Sequence, residues 1–469
     1  MLQPADASFI ADLAGEVPDD ILAPVTPSYL EEPRGKWHGQ AATVARPKTV
    51  EQLSRILRFC NSRRVGVVPY GGGTGLVGGQ IMQTGPLPIL VSLECMNDIT
   101  HVWPSENVMV VQGGAILENI QTAAADHNRI FPLSLASQGS AQIGGNLATN
   151  AGGVNVLRYG NARDLCLGVQ AVLANGSVYD GLTRLRKDNT GYDLRNLLIG
   201  SEGTLGIITA ATLKLFPQPP SVGTALLAVT DPQAAVDLLA LARDIAGEGI
   251  NAFELISKMG VTFLAETMPE FPAPFDPCPE WMVLVEFGLS ADADAALAQL
   301  FENAHESGLA QDGIIASSQA QRNGLWRLRE TIPTANRLVG SISSHDISLP
   351  ISVVPEFIRL APDYIRKIGD FRINCFGHLG DGNLHYNVFP LQGRDKAKYA
   401  NVVDEVQQTV HDLVMQMQGS FSAEHGVGRL KTLDLQRYAD PTKLAMMQSI
   451  KSVLDPNGIL NPGVIFPIN

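Results

Sequence analysis

The chain has 469 residues, enough for two or three domains, and its 45% hydrophobic against 17% charged residues supplies buried cores and leaves no case for disorder. A formal net charge of −13 argues against a nucleic-acid partner, which needs a basic surface, and disfavours docking on anionic lipid. Cys60, Cys95, Cys166, Cys278 and Cys375 are odd in number, far apart and never in a C-x-x-C, so a reducing compartment fits better than a disulfide framework or a thiolate metal site. No run approaches the roughly 20 apolar residues of a membrane span. The acidic start MLQPADASFIADLAGEVPDD lacks the basic and apolar regions of a signal peptide and the arginines of a mitochondrial presequence. A cytoplasmic protein is expected.

From about Ala45 to Pro217, short β-rich runs alternate with Gly-rich loops. Thr49-Val50-Glu51-Gln52 reads as a capping box that opens a helix with Leu53, Ile56, Leu57 and Cys60 on one face. VGVVPY (65–70), ILVSLECM (89–96) and VMVVQGG (108–114) read as strands, and Asn175-Gly176 between apolar runs as a hairpin turn. IITAATLKLFP closes the region, and FPQPPS (216–221) has the composition of a domain boundary. Beyond it, TALLAVTD, QAAVDLLALARDIAG, AFELIS, WMVLVEFG, ADADAALAQLFENAHESG and GIIAS alternate as strand, helix, strand, strand, helix, strand, the ferredoxin-like order. The tail holds one amphipathic helix and the turn-rich LDPNGILNPG.

Two constellations carry chemistry. PYGGGTGLVGG (69–79) follows a strand directly, and its glycines let successive backbone N–H groups converge on one concave spot, as diphosphate nests require. It is no Walker A loop, since no Lys-Ser/Thr follows, and it does not match G-x-G-x-x-G. PLSLASQGSAQIGGNLATNAGG (132–153), with hydroxyls at Ser137, Ser140 and Thr149, and IGSEGTLGIIT (199–209) are two further small-residue loops. Together they suit an extended dinucleotide better than a set of tight β-turns. In CFGHLGDGNLHYNV, the turn Gly380-Asp381-Gly382-Asn383 reads as a hairpin placing His378 opposite His385. With Glu424 of FSAEHGVGRLK, and His425 beside it, these make a candidate site for a divalent metal with an open position.

GGGTGLVGG, SQGSAQIGGNLATNAGG and LRKDNTGYDLRNLLIGSEGTLGIIT resemble the FAD-binding domain of the vanillyl-alcohol oxidase-type flavoproteins. Within these the chain is most similar to the D-2-hydroxyacid dehydrogenase branch, over nearly its whole length, from about His38 to Pro467. The resemblance implies an α+β fold: a PCMH-type FAD-binding domain at 38–217, a ferredoxin-like substrate and metal domain at 221–420, and a small C-terminal helical segment at 421–469 that completes the active site. It implies noncovalent FAD, with the diphosphate near Gly71, Gly72, Gly73, Thr74 and Gly75 and the isoalloxazine near Pro132, Gly139, Ser140 and Gly145. Pro69, Leu76, Ser137, Gly144, Thr149, Asn150, Gly152, Glu202, Gly203, Gly206, Ile207, Ile208 and Asn461 map to further cofactor contacts. GHLGDGNLH and SAEHGVG then supply a zinc-type site of His378, His385 and Glu424, with Asn387 as a substrate contact, His425 as the base and Arg329 of LWRLRETIP as the substrate-carboxylate ligand, a bidentate role suited to Arg.

One departure concerns the substrate's far end. Ser344, in SSHDISLP, stands where the D-2-hydroxyglutarate pattern carries Lys, and Pro333 where it carries Thr; His345 or Arg337 offers a substitute cation. The resemblance implies oxidation of D-2-hydroxyglutarate to the 2-oxo acid, with D-lactate or glycolate as the alternative substrates within the branch. The absence of a nicotinamide motif points to an electron-transfer flavoprotein or a quinone as acceptor, and a homodimer is compatible with this reading. The rivals are a flavin-free metallohydrolase, which leaves three glycine loops unexplained, and a noncatalytic flavoprotein subunit, which leaves the base, metal and Arg set unexplained.

Overall fold

The computed structural model describes residues 1–35 and 37–468, which form two compact units. The first gathers Met1–Gly152, Gly160–Gln218 and Glu424–Asn469; the second gathers Gly153–Tyr159 and Pro219–Ala423. By packing, the first unit therefore includes the N-terminal residues before His38 and takes in the C-terminal segment, while the seven residues from Gly153 to Tyr159 go with the second. No described helix is long and apolar enough to cross a membrane.

In the first unit, Leu22–Ala23 (β1), Val44–Ala45 (β2), Val67–Tyr70 (β3) and Ile89–Ser92 (β4) form a sheet of order β1-β2-β4-β3. Parallel pairing of β2 and β3 with β4 demands a crossover, and the helix Val50–Arg63 supplies it. Thr49 caps that helix by accepting from the Gln52 N–H, and the predicted stripe Leu53, Ile56, Leu57 and Cys60 is fully buried. Each of these large apolar side chains contributes about 1.5–3 kcal/mol on burial. A second sheet of Ile99–Trp103 (β5), Val108–Gln112 (β6), Cys166–Val172 (β8), Val178–Asp180 (β9) and Ile207–Lys214 (β10) has the order β5-β6-β10-β8-β9; Arg129–Ile130 (β7) and Phe216–Pro217 (β11) pair separately. The hairpin β8–β9 forms as predicted, though not around a two-residue turn: Val172 pairs with Val178, and Gly176 takes φ +81° inside the loop. The tail closes the core of this unit, with Ile459 and Leu460 buried and Leu460 bridged to Val67. The helix Pro441–Leu454, expected to be amphipathic, has no fully buried residue.

In the second unit, Ser221–Val229 (β12), Ile250–Ser257 (β13), Trp281–Leu289 (β14) and Ala310–Ile315 (β15) lie in the order β15-β12-β14-β13, the predicted ferredoxin-like arrangement. Ser343–Ser348 (β16), Arg372–His378 (β17) and Asn383–Phe389 (β18) extend it to seven strands from the β13 edge, in the order β13-β17-β18-β16. Alternation sorts the two faces. Leu227, Phe253, Leu255, Val283, Cys375 and Tyr386 pack under the helices Pro232–Ala246, Ala293–Glu306, Val354–Arg366 and Val403–Gln416. Leu226, Ile256, Met282, Leu284 and Phe376 meet the helices Lys258–Thr267 and Gln319–Val339 on the other face. That second face also carries a row of polar side chains.

Candidate active site

The glycine loops of the first unit lean on one another closely enough to exclude side chains. A Cβ on Gly72 would lie 2.0 Å from the Ser140 carbonyl oxygen, and one on Gly203 would lie 2.9 Å from the Pro69 ring; Gly71 stands against Gly145. Gln80 donates its amide to the carbonyls of Gly73 and Gly75, at 3.3 and 2.8 Å, so these oxygens are tied down. None of the backbone N–H groups from Gly71 to Leu76 is donated to another described residue. Buried Gln142 Oε1 and Asn146 Oδ1, at the start of the helix Ile143–Thr149, likewise have no partner among the described residues. Gln142, Gly71 and Gly72 line a cavity of about 610 Å³ together with Tyr29, Arg46, Tyr70 and Glu94. A run of unspent N–H donors beside a cavity of this size fits a diphosphate-bearing cofactor.

Other expected cofactor contacts also carry bonds or packing within the chain. The Thr149 hydroxyl returns to the Gly145 carbonyl at 3.1 Å, and Asn150 Oδ1 accepts from the Arg163 N–H. Ile207 and Ile208 are buried strand residues; Gly144 and Gly206 allow close backbone packing, with Ile208 O 3.1 Å from a Cβ on Gly144. Pro132 and Gly152 are buried, Ser137 is half-buried, and Gly139 and Ser140 are exposed. Glu202 and Asn461 are bonded within the chain. Glu202, buried at φ +52°, accepts from the N–H groups of Val427 and Gly428 at 2.8 and 2.7 Å. Asn461 donates to the Glu202 carbonyl and accepts from Arg429, whose guanidinium also donates to the carbonyls of Gly78, Gly79 and Pro462. Burial raises the Glu202 pKa against the lowering pull of these N–H bonds, and burial lowers Arg429 to about 10. Both side chains are spent on tying the loop after His425 to the glycine loops. Within that loop, His425 Nε2 lies 3.5 Å from Glu424 Oε1.

The polar row of the second unit follows from strand register. Glu254 pairs with His378, Phe376 with His385, and His385 with Asp346; Asn374 pairs with Asn387, and Asn387 with Ser344. Directly paired residues share a face, and so do residues two apart, so all of these point to one side. His378 and His385 are thus diagonal neighbours, not opposite each other as the hairpin reading predicted. The turn Leu379–Asp381 shifts the register by one pair, and the rings stand 5.4 Å apart and nearly perpendicular. Glu254, with no exposed surface, reaches His378 Nδ1 with Oε1 at 2.7 Å. Its Oε2 accepts from Arg329 Nε at 2.8 Å and lies 2.7 Å from Nη2 in an ion pair. Burial works to raise the Glu254 pKa, but the His378 and Arg329 charges outweigh it and hold the carboxyl down at about 2. Two imidazoles, one oriented through its second nitrogen by a buried carboxylate, are a donor set suited to a divalent metal.

Arg329 is 5% exposed and so is no solvated helix charge. Asn387 lies in the row. Ser344 lies at its outer end, exposed, with its hydroxyl 2.7 Å from that of Ser341. His345 needs correction as a substrate contact: it points to the opposite face, where it is buried with Nδ1 3.3 Å from His411 Nε2. Arg337 is exposed near the end of the helix Gln319–Val339, and Pro333 within that helix lacks the N–H that would bond the Arg329 carbonyl. The division between units falls between Ala423 and Glu424. Within the second unit, the Ala423 N–H bonds the Asp346 carbonyl at 3.2 Å. Sequence reasoning missed Glu254, whose signal was a lone carboxylate in the otherwise apolar AFELIS, and Arg429, one residue past GVG.

Comparison with known proteins shows the family. Residues 218–465 match the family of FAD linked oxidases, C-terminal domain, and residues 41–181 match the FAD binding domain family. The D-2-hydroxyglutarate dehydrogenase of Arabidopsis thaliana, a mitochondrial protein, is 37% identical over 437 residues, covering 92% of this chain and 76% of its own. The D-2-hydroxyglutarate dehydrogenase of Xanthomonas citri is 36% identical over 433 residues, covering 92% and 90%. Among solved structures, p-cresol methylhydroxylase with substrate bound superposes with a TM-score of 0.75 at 17% identity, over 100% of this chain and 99% of that one, a likeness of fold. The fold is α+β with a PCMH-type FAD-binding unit, and the chain belongs to the FAD-linked oxidase family. It is an FAD-dependent oxidoreductase acting on the CH–OH group of its donor. The flavin-free hydrolase reading falls with that assignment.

Proposed function

We propose that this enzyme oxidises a D-2-hydroxy acid, D-2-hydroxyglutarate foremost, to the 2-oxo acid with the help of a divalent metal of the zinc type. The observation that carries the metal part of this reading is the one-faced row of Glu254, His378, His385, Asp346 and Asn387. The names of the relatives at 36–37% identity support the substrate class. His378 and His385 would hold the metal, with Glu424 as the third ligand, and the backbone N–H groups of Gly71 to Gly75 would hold the FAD diphosphate. When bound, FAD would take up the C2 hydrogen together with the electron pair of its bond, and the metal would supply Lewis acidity toward the substrate. The chain's own residues bind, orient and move one proton. The Arg329 guanidinium keeps the substrate carboxylate in one orientation, Asn387 contributes a further polar contact, and His425 accepts the 2-hydroxyl proton. Electrons then leave to a non-nicotinamide acceptor such as an electron-transfer flavoprotein or a quinone.

A second substrate reading, D-lactate or glycolate, is favoured by Ser344, which puts no cation at the outer end of the row. Steady-state rates with an artificial acceptor, over both enantiomers of 2-hydroxyglutarate and lactate plus glycolate, test the reading. Turnover confined to D-2-hydroxy acids is expected; indifference to configuration would contradict it.

A further inference from the structure

We propose that Glu254 is a positioning residue with two clients, setting the imidazole of His378 with one carboxylate oxygen and the guanidinium of Arg329 with the other. The inference rests on the reading above, in which His378 binds a metal and Arg329 the substrate carboxylate. Oε1 reaches His378 Nδ1 at 2.7 Å, so Nδ1 is committed to Glu254 and Nε2 is the nitrogen through which His378 would meet a metal. Oε2 accepts from Nε of Arg329 and lies 2.7 Å from Nη2, with the guanidinium carbon over the Phe376 ring, 5.0 Å from its centroid. Nη1 makes no bond to a described residue and is the edge left for a ligand.

A purely structural ion pair explains this placement poorly. All eight residues of β13 are buried, and a well-packed apolar side chain at such a position is commonly as stabilising as a buried pair. The neighbouring strand β14 offers a comparison. Glu286 accepts from Trp326 Nε1 at 2.7 Å, Asn251 Nδ2 at 3.0 Å and Thr224 Oγ1 at 3.2 Å, a carboxylate engaged only with scaffold residues. Glu254 alone of the two spends both oxygens on residues with proposed ligands of their own.

The test uses the full-length, FAD-loaded enzyme stripped of metal and titrated with Zn²⁺ against a chromophoric chelator, with KM for D-2-hydroxyglutarate and D-lactate measured in parallel. Glu254→Gln has one acceptor oxygen for two donor groups, so its Zn²⁺ dissociation constant should rise about ten- to hundredfold. KM for both acids should rise with it, while FAD content stays at the wild-type level. Glu254→Asp keeps the charge beside Arg329 but draws the carboxylate back by a methylene; it should fold and shift both quantities in the same direction. Glu286→Gln should move neither. Wild-type Zn²⁺ affinity in both Glu254 variants, with affinity lost in His378→Ala, overturns the inference and leaves the metal reading standing. A rise in KM alone confines Glu254 to Arg329 and overturns the shared role. Absence of stoichiometric Zn²⁺ binding by the wild type overturns both.

Discussion

Ser344 sits opposite Asn387 at the outer edge of the polar row, where a lysine would extend an ammonium along the same face. Ser344→Lys should therefore raise kcat/KM for D-2-hydroxyglutarate selectively, by the worth of one charge-assisted hydrogen bond, about 1.5–3 kcal/mol. D-lactate, with no distal charge, should gain nothing, and the ratio of the two specificity constants in wild type and variant reads the effect. His345→Ala should leave that ratio unchanged, because His345 points to the other face and packs on His411. His425→Ala should lower kcat by about two to four orders of magnitude, the usual contribution of a positioned general base, with bound metal retained. Lost metal at unchanged turnover would exchange the roles of His425 and Glu424. At this scale the sequence was legible in the nearness of His378 and His385, whose rings are neighbours, and misleading where register decides. One strand position separates Ser344 from His345, and only the pairing tells which face each takes. Glu254 was unreadable as a partner because Arg329 and His378 lie 75 and 124 residues away along the chain.

The glycine loops of the first unit were recognisable from composition, since few other roles ask for so many small residues in three segments. What holds them was not. The resemblance implies Glu202 as a cofactor contact; its carboxylate accepts from Val427 and Gly428, 225 and 226 residues onward, pairings no local motif announces. Glu202→Ala would strand these two N–H groups, at about 1–3 kcal/mol each, and release the loop that carries Glu424 and His425. A lower denaturant midpoint together with a lower kcat is expected. An unchanged kcat in a variant that binds FAD normally would show that the clasp does not position His425. The capped helix Val50–Arg63 shows the opposite case. Its cap and buried stripe are local, so they could be read directly from Thr49 to Cys60.

For the whole molecule, the ferredoxin-like core was legible because its strands and helices alternate in chain order. The extension by β16, β17 and β18 was not, since those strands join the sheet through pairing of β17 with β13, more than 120 residues upstream in the Glu254–His378 pair. The tail read as a third segment, yet Ile459 and Leu460 complete the core of the first unit. Of the proposed metal ligands, His378 and His385 belong to the second unit and only Glu424 to the first with the glycine loops, so stripping a bound metal should leave the flavin in place. A chelated, dialysed sample should keep its flavin absorbance and lose turnover, and His378→Ala and Glu424→Ala should behave alike. Joint loss of flavin and metal would contradict this separation.

The most direct measurement is anaerobic mixing of the flavin-loaded enzyme with D-2-hydroxyglutarate, D-lactate and their L enantiomers, followed at the flavin absorbance before and after chelation. Rapid bleaching by a D acid, little or none by its L counterpart, and loss of the D reaction on chelation with recovery on adding Zn²⁺ is the predicted result. Equal bleaching by both enantiomers, or full-rate bleaching by the D acid after the metal is gone, would contradict metal-assisted oxidation of a D-2-hydroxy acid.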